Sequence, residues 1–179
     1  FQLGIMGIEI PEHLGGADGH FFLSILSVEE LSKVDASIGV LVDVQNTLVI
    51  NAFLRWGNTE LQQRFLPQLA TQTVGAYALS ESSSGSDAFS LSTRAVPDGD
   101  HFVLNGKKMW VTNAKEANLF IIFANAKPDA GHRGITAFII ERNTPGFSIG
   151  KKEDKLGIRA SSTCELVLDD CRVPASNIL

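Results

Sequence analysis

Tyr77-Ala78-Leu79-Ser80-Glu81-Ser82-Ser83-Ser84-Gly85-Ser86-Asp87 decides how this chain is read. A short apolar strand runs straight into a loop of hydroxyls, with a glycine and two acids among them. Further on, Lys108-Met109-Trp110-Val111-Thr112-Asn113-Ala114 forms a second strand with a polar tip. One such loop is an ordinary surface feature. The pair, in this order, points to two strand ends converging on one planar, polar ligand.

The chain has 179 residues, enough for one domain or two small ones. Apolar residues make up 44%, so a core can form. Acidic side chains number 20 against 15 basic ones, a net charge of -5 without long single-sign runs. That balance argues against nucleic acid or an anionic membrane as the main partner, since both need clustered Lys and Arg. No uninterrupted apolar run reaches spanning length, and the N-terminus lacks the basic and apolar regions of a signal peptide. Cys164 and Cys171 are the only cysteines; without CxxC or a nearby His they read as buried, reduced thiols. No metal site is expected.

The periodicity changes near residue 73, which predicts an α+β chain: a partial N-terminal helical domain (1–72), then an antiparallel β-barrel or sandwich (73–179). Apolar residues at 22, 25, 26, 28, 31 and 34 trace one helix face. Asp35-Ala36-Ser37 reads as a break and a new N-cap, with a second helix over 38–56 stopped by Gly57. A third helix over 59–69 is expected to be interrupted by Pro67. Strands are expected at 74–79, 91–96, 101–104, 108–111, 119–126, 135–141, 147–149 and 164–168. Asp98-Gly99, Asn105-Gly106 and Pro145-Gly146 are turn signals, and Asn105-Gly106 gives the strongest hairpin reading.

Other constellations are weaker. A serine nucleophile elbow, a P-loop and a dinucleotide fingerprint are all absent. Glu81 and Asp87 could be an acid/base pair, but loop acids beside a glycine turn more often cap or solvate. Trp110 and Thr112, two apart on a strand, share a face and offer a stacking surface beside a hydroxyl. Asp43 and Asn46 lie one turn apart in an apolar helix and read as a solvated stripe, with cavity lining as the alternative. The four histidines have no ligand spacing.

These segments resemble the acyl-CoA dehydrogenases. Tyr77 to Asp87 is similar to the family's first signature, and Trp110-Val111-Thr112-Asn113-Ala114 to its second flavin segment. Gly7-Ile8-Glu9-Ile10-Pro11-Glu12 with Gly15-Gly16, Leu66-Pro67-Gln68-Leu69, Lys155-Leu156-Gly157-Ile158-Arg159 and Val173-Pro174 extend the likeness over essentially the whole chain. Lys33-Val34-Asp35-Ala36-Ser37, Gln45-Asn46-Thr47-Leu48 and Ala160-Ser161-Ser162-Thr163-Cys164-Glu165-Leu166 resemble the short/branched-chain members.

The resemblance implies FAD-dependent α,β-dehydrogenation of an acyl-CoA: a base takes the α-proton while the β-hydride passes to flavin N5. Electrons then leave to an electron-transferring flavoprotein. It places Tyr77, Ala78, Leu79, Ser80, Glu81, Ser82, Ser83, Ser84, Gly85 and Ser86 at the cofactor, with Trp110, Val111 and Thr112. Trp110 would pack on the ring and Thr112 would bond near N5. Ser86 and His132 would meet the acyl-CoA. The family's catalytic base lies in a C-terminal helical domain expected beyond Leu179, so no catalytic residue is expected here. By itself the chain is expected to expose apolar surface, bind FAD weakly and catalyse nothing. The whole protein is expected to be a homotetramer, in the mitochondrial matrix if eukaryotic and the cytoplasm if bacterial. An acyl-CoA oxidase and a non-catalytic flavin- or acyl-CoA-binding protein are the competing readings.

Overall fold

A computed structural model describes residues 1–179. Helix α1 (Phe21–Val34) is followed by α2 (Ala36–Asp43), which the Asp35 carboxylate caps by accepting from Ser37 N–H at 2.8 Å. α2 runs through a π-helical segment (Val44–Ile50) into α3 (Asn51–Trp56), and Gly57 ends the run. The resulting helix, Ala36–Trp56, is long and apolar enough by composition to cross a bilayer. Here its Val49, Ile50 and Phe53 face inward and are buried.

α4 (Thr59–Thr71) starts at an Asn58 cap and passes through Pro67 without stopping. Pro67 removes one intrahelical donor, but Phe65, Leu66, Leu69 and Ala70 on either side of it are buried and hold the helix on its course. The apolar face expected on α1 is not covered: Phe22, Ile25, Leu26 and Val34 are exposed.

The strands are β1 (Gly75–Ala78), β2 (Arg94–Asp98), β3 (His101–Thr112), β4 (Leu119–Asn125), β5 (Ile135–Glu141), β6 (Phe147–Lys152) and β7 (Thr163–Pro174). They form one curled sheet in the order β1-β4-β2-β3-β7-β6, with β5 also on β4. The α+β expectation holds, but the sheet is mixed rather than wholly antiparallel. β1 and β2 lie end to end along one edge of β4 and run parallel to it, β1 from Gly75↔Leu119 to Ala78↔Ile122 and β2 at Arg94↔Asn125, while β5 takes the other edge antiparallel.

The hairpin at Asn105-Gly106 does not form. β3 runs straight through it, and the chain reverses instead at Gly99-Asp100, between the paired Asp98 and His101. Asn105 serves the neighbouring strand: its Oδ1 accepts from Asp170 N–H at 2.8 Å. Gly106, at φ +153°, takes a bulge where a Cβ would meet Thr93 Oγ1 at 2.5 Å.

Two apolar cores result. One lies within the sheet, around Ala76, Ala78, Leu104, Val111, Phe120, Phe138 and Leu166. The other glues helices to the sheet's opposite face, through Phe53, Phe65, Leu66, Leu119, Ile121 and Ile139. A large apolar side chain so buried contributes roughly 1.5–3 kcal/mol. Gln45 and Asn46 are fully buried within the second layer's long helix. The solvated stripe expected at Asn46 is therefore wrong: its Oδ1 accepts from Ile8 N–H at 3.0 Å, and its Nδ2 donates to the carbonyls of Ile5 and Val42. Asp43 is half-buried and takes the Thr47 hydroxyl at 2.9 Å.

Candidate functional site

The two polar-tipped segments meet. Where β1 ends, Leu79 and Ser80 lie against the middle of β3: Met109 N–H donates to the Ser80 carbonyl at 2.9 Å, and the Lys108 ammonium donates to the Leu79 carbonyl at 3.0 Å. Asn113 Nδ2, just past the end of β3, reaches the Gly75 carbonyl at 3.3 Å, so β1 is held at its start as well.

β3 bulges between Lys108 and Val111 against β7. The bulge turns Trp110 to φ +59°, a left-handed conformation that bulky residues seldom adopt. It also changes which residues face inward. Lys108 is buried, Trp110 is 57% exposed, Val111 is buried again, and Thr112 is half-buried. Trp110 and Thr112 thus flank an inward Val111.

The Ser-rich loop is a tight turn. Glu81 N–H donates to the Ser84 carbonyl and Ser84 N–H to the Glu81 carbonyl, leaving Ser82 and Ser83 exposed at the tip. Ser84 is buried and donates its hydroxyl to the Asp87 carbonyl at 2.8 Å. Gly85 and Ser86 are exposed. Phe89, just beyond, stacks on His132 with ring centroids 5.1 Å apart, so the loop carrying Ser86 touches the loop carrying His132 (Pro128–Gly134).

Glu81 is not positioned for acid/base work. One oxygen takes Lys108 at 2.6 Å and the Thr93 hydroxyl at 2.5 Å; the other takes the N–H and hydroxyl of Ser92, both at 2.6 Å. Burial pushes its carboxyl up, but Lys108, Ser92 and Thr93 outweigh that and hold it at about 2. Asp87 is exposed and accepts from the Ser90 hydroxyl. Burial lowers the Lys108 ammonium, with Glu81 opposing the shift.

A cleft of about 420 Å³ opens between the long helix and the sheet, lined in part by Thr47, Asn51, Arg55, Tyr77, Phe123 and Leu179. Tyr77 is half-buried there, its ring 5.0 Å from that of Phe123. Cys164 and Cys171 are buried free thiols, and burial pushes Cys171 up to about 11. Lys108, Phe89 and Gln45 are the residues sequence reasoning passed over. Lys108 carried a signal, because it falls in the inward phase set by Leu104 and Gly106.

The chain matches two family models: "Acyl-CoA dehydrogenase, N-terminal domain" over residues 1–73 and "Acyl-CoA dehydrogenase, middle domain" over 76–171. A Dictyostelium discoideum protein described as "Probable short/branched chain specific acyl-CoA dehydrogenase" is 58% identical over 100% of this chain and 44% of its own length. The mitochondrial short/branched chain specific acyl-CoA dehydrogenase of Rattus norvegicus is 48% identical over 100% of this chain and 41% of its own. The crystal structure of a Bacillus anthracis acyl-CoA dehydrogenase complexed with FAD is similar at TM-score 0.91 and 36% identity, over 99% of this chain and 30% of that one. The chain therefore spans less than half the length of these relatives.

Proposed function

Because this chain belongs to the acyl-CoA dehydrogenase family, we propose that it forms the flavin shelf of an FAD-dependent enzyme that makes 2,3-enoyl-CoA from short or branched acyl-CoA. One observation carries this reading. The Ser80 and Leu79 carbonyls are bound by β3, while the N–H groups of Leu79 and Ser80 have no acceptor within the chain. Two free donors beside the outward Trp110 and the Thr112 hydroxyl suit a flat ring with carbonyl acceptors on its edge.

FAD, when bound, supplies the acceptor for the β-hydride. Tyr77 to Ser86 and Trp110 to Thr112 would hold it, with Trp110 packing against the ring and Thr112 fixing its reactive edge. Ser86 and His132, on touching loops, would meet the acyl-CoA. Glu81, held ionised and enclosed by five donor atoms or groups, braces the loop and takes no proton from substrate. The base would come from the rest of the protein. The whole enzyme would be a homotetramer passing electrons to an electron-transferring flavoprotein, in the mitochondrial matrix of a eukaryote or the cytoplasm of a bacterium. The helical part (1–72) and the β part (73–179) would be its first two domains.

Thr112→Val in the full-length protein tests the shelf. In stopped flow, flavin reduction by acyl-CoA slows about tenfold or more while substrate affinity stays within about twofold, as expected when an interaction acts in the transition state. An unchanged rate removes Thr112 from the reaction. Titration of the full-length protein with straight and branched acyl-CoAs should bleach its flavin absorbance; a colourless protein that takes up no FAD refutes the proposal.

A further inference from the structure

Lys108 is among the largest fully buried side chains of the molecule. Removing an ammonium from water is costly, and an apolar residue would hold two strands together without that cost. Its partners show what the charge achieves. Besides Glu81, it binds one backbone atom, the Leu79 carbonyl oxygen. That oxygen and the Ser80 N–H belong to the same peptide unit. In a trans peptide the two bonds point in opposite directions, and the chain has no cis peptide. Drawing the carbonyl inward therefore turns the Ser80 N–H outward, where it has no acceptor in the chain.

Glu81 fixes the ammonium in turn. Its carboxylate gathers Ser92 and Thr93 at the entry to β2, so three separate segments lock around one charge pair. The neighbouring peptide is pinned as well, through Met109 N–H on the Ser80 carbonyl.

We infer that Lys108 and Glu81 are positioning residues: the buried pair sets the orientation of the Leu79–Ser80 peptide, so that its N–H is preorganised to donate to the polar edge of the flavin. This rests on the shelf reading above. The ammonium also polarises that peptide through its carbonyl, which strengthens the N–H as a donor. Neither side chain touches the ligand; both act through the backbone.

The experiment uses the full-length protein with Lys108→Met, the charge-free double variant Lys108→Met/Glu81→Gln, and Leu104→Ala as a control. Leu104 lies on the same strand, is fully buried and faces the sheet core, away from the shelf. Each is stripped of flavin and titrated with FAD; melting temperature, the oxidised-flavin absorption bands and the flavin midpoint potential are recorded. Lys108→Met should weaken FAD binding about tenfold, the equivalent of one well-aimed hydrogen bond. It should also shift the absorption bands and make the potential more negative. Leu104→Ala should lower the melting temperature yet leave affinity, bands and potential at wild-type values.

The double variant removes the unpaired buried carboxylate, so it should melt higher than Lys108→Met while FAD binding stays weak. It also serves if the single variant does not fold. If the double variant, or Lys108→Met, binds FAD with wild-type affinity, bands and potential, the positioning role is overturned and the pair only holds the fold. A wild-type protein that takes up no FAD overturns the shelf itself, a separate outcome.

Discussion

Gln45→Leu is the substitution whose cost follows most directly from the structure. Gln45 is fully buried in the π-helical segment, and both ends of its amide are in use. Nε2 donates to the carbonyls of Leu69 at 2.9 Å and Thr73 at 3.0 Å, and Oε1 accepts from Gly75 N–H at 2.7 Å. Leu69 is in the last turn of α4, where carbonyls lack intrahelical partners, and Gly75 opens β1. One side chain therefore ends a helix, starts a strand and ties both to the long helix. Leucine matches the volume but makes none of these bonds. All three backbone groups sit on buried residues. At about 1 kcal/mol per net bond, and more where a group stays unsatisfied, the loss is about 3 kcal/mol or more. Urea unfolding of the full-length protein measures it, at unchanged m. Thr47→Val is the control: the Thr47 hydroxyl bonds only to Asp43, four residues earlier on the same helix, and its loss should cost under about 1 kcal/mol. If the two variants unfold at the same urea concentration, the buried amide is not doing what its distances indicate.

Two further outcomes follow, one from Glu81 and one from the glycine bulge in β3. Glu81 is held at about 2, below its ordinary 4.5, so the folded state prefers the ionised form. That preference is worth about 3 kcal/mol, fully present above pH 4.5 and lost as pH falls towards 2. Denaturation followed from pH 6 to 2 should show this slope in wild type and lose it in Glu81→Gln; equal slopes would contradict the assignment. Gly106→Ala should destabilise by about 2 kcal/mol or more, because φ is +153° and the new Cβ would press on Thr93 Oγ1 and Cβ at 2.5 and 2.8 Å. A neutral result in thermal melts would show that the bulge relaxes without cost.

Local chemistry was legible and long-range pairing was not. The Asp35 cap, the stop at Gly57 and the turn at Asp98-Gly99 each depend on a few neighbouring residues, and the structure has all of them. The parallel join of β1 to β4 depends on a strand that arrives more than 40 residues later, and β1 carries no mark of it. Asn105-Gly106 failed for an instructive reason. The dipeptide suits a left-handed turn, but its two features were used separately: the amide of Asn105 bonds to β7, and the bare Gly106 lets β3 pass over Thr93.

The same distinction runs through the candidate site. Hydroxyls, glycine and an aromatic ring advertise a ligand surface by residue type, so the meeting of residues 77–87 with 108–114 could be expected before any coordinates. The apparatus that holds those donors in place uses residues that look routine in a list. Lys108 and Gln45 stand in the sequence with no role of their own marked out, yet both are fully buried. Each binds backbone rather than another motif residue. Backbone-directed side chains leave little trace in composition, because any segment supplies a carbonyl. Burial exposes them: a charged or amide group at the inward phase of an otherwise apolar strand or helix must have acceptors, and those acceptors identify the segment being positioned. Applied to β3, that rule leads from Leu104 and Gly106 to Lys108, and from Lys108 to the Leu79–Ser80 peptide, with no reference to the motif that first drew attention to it.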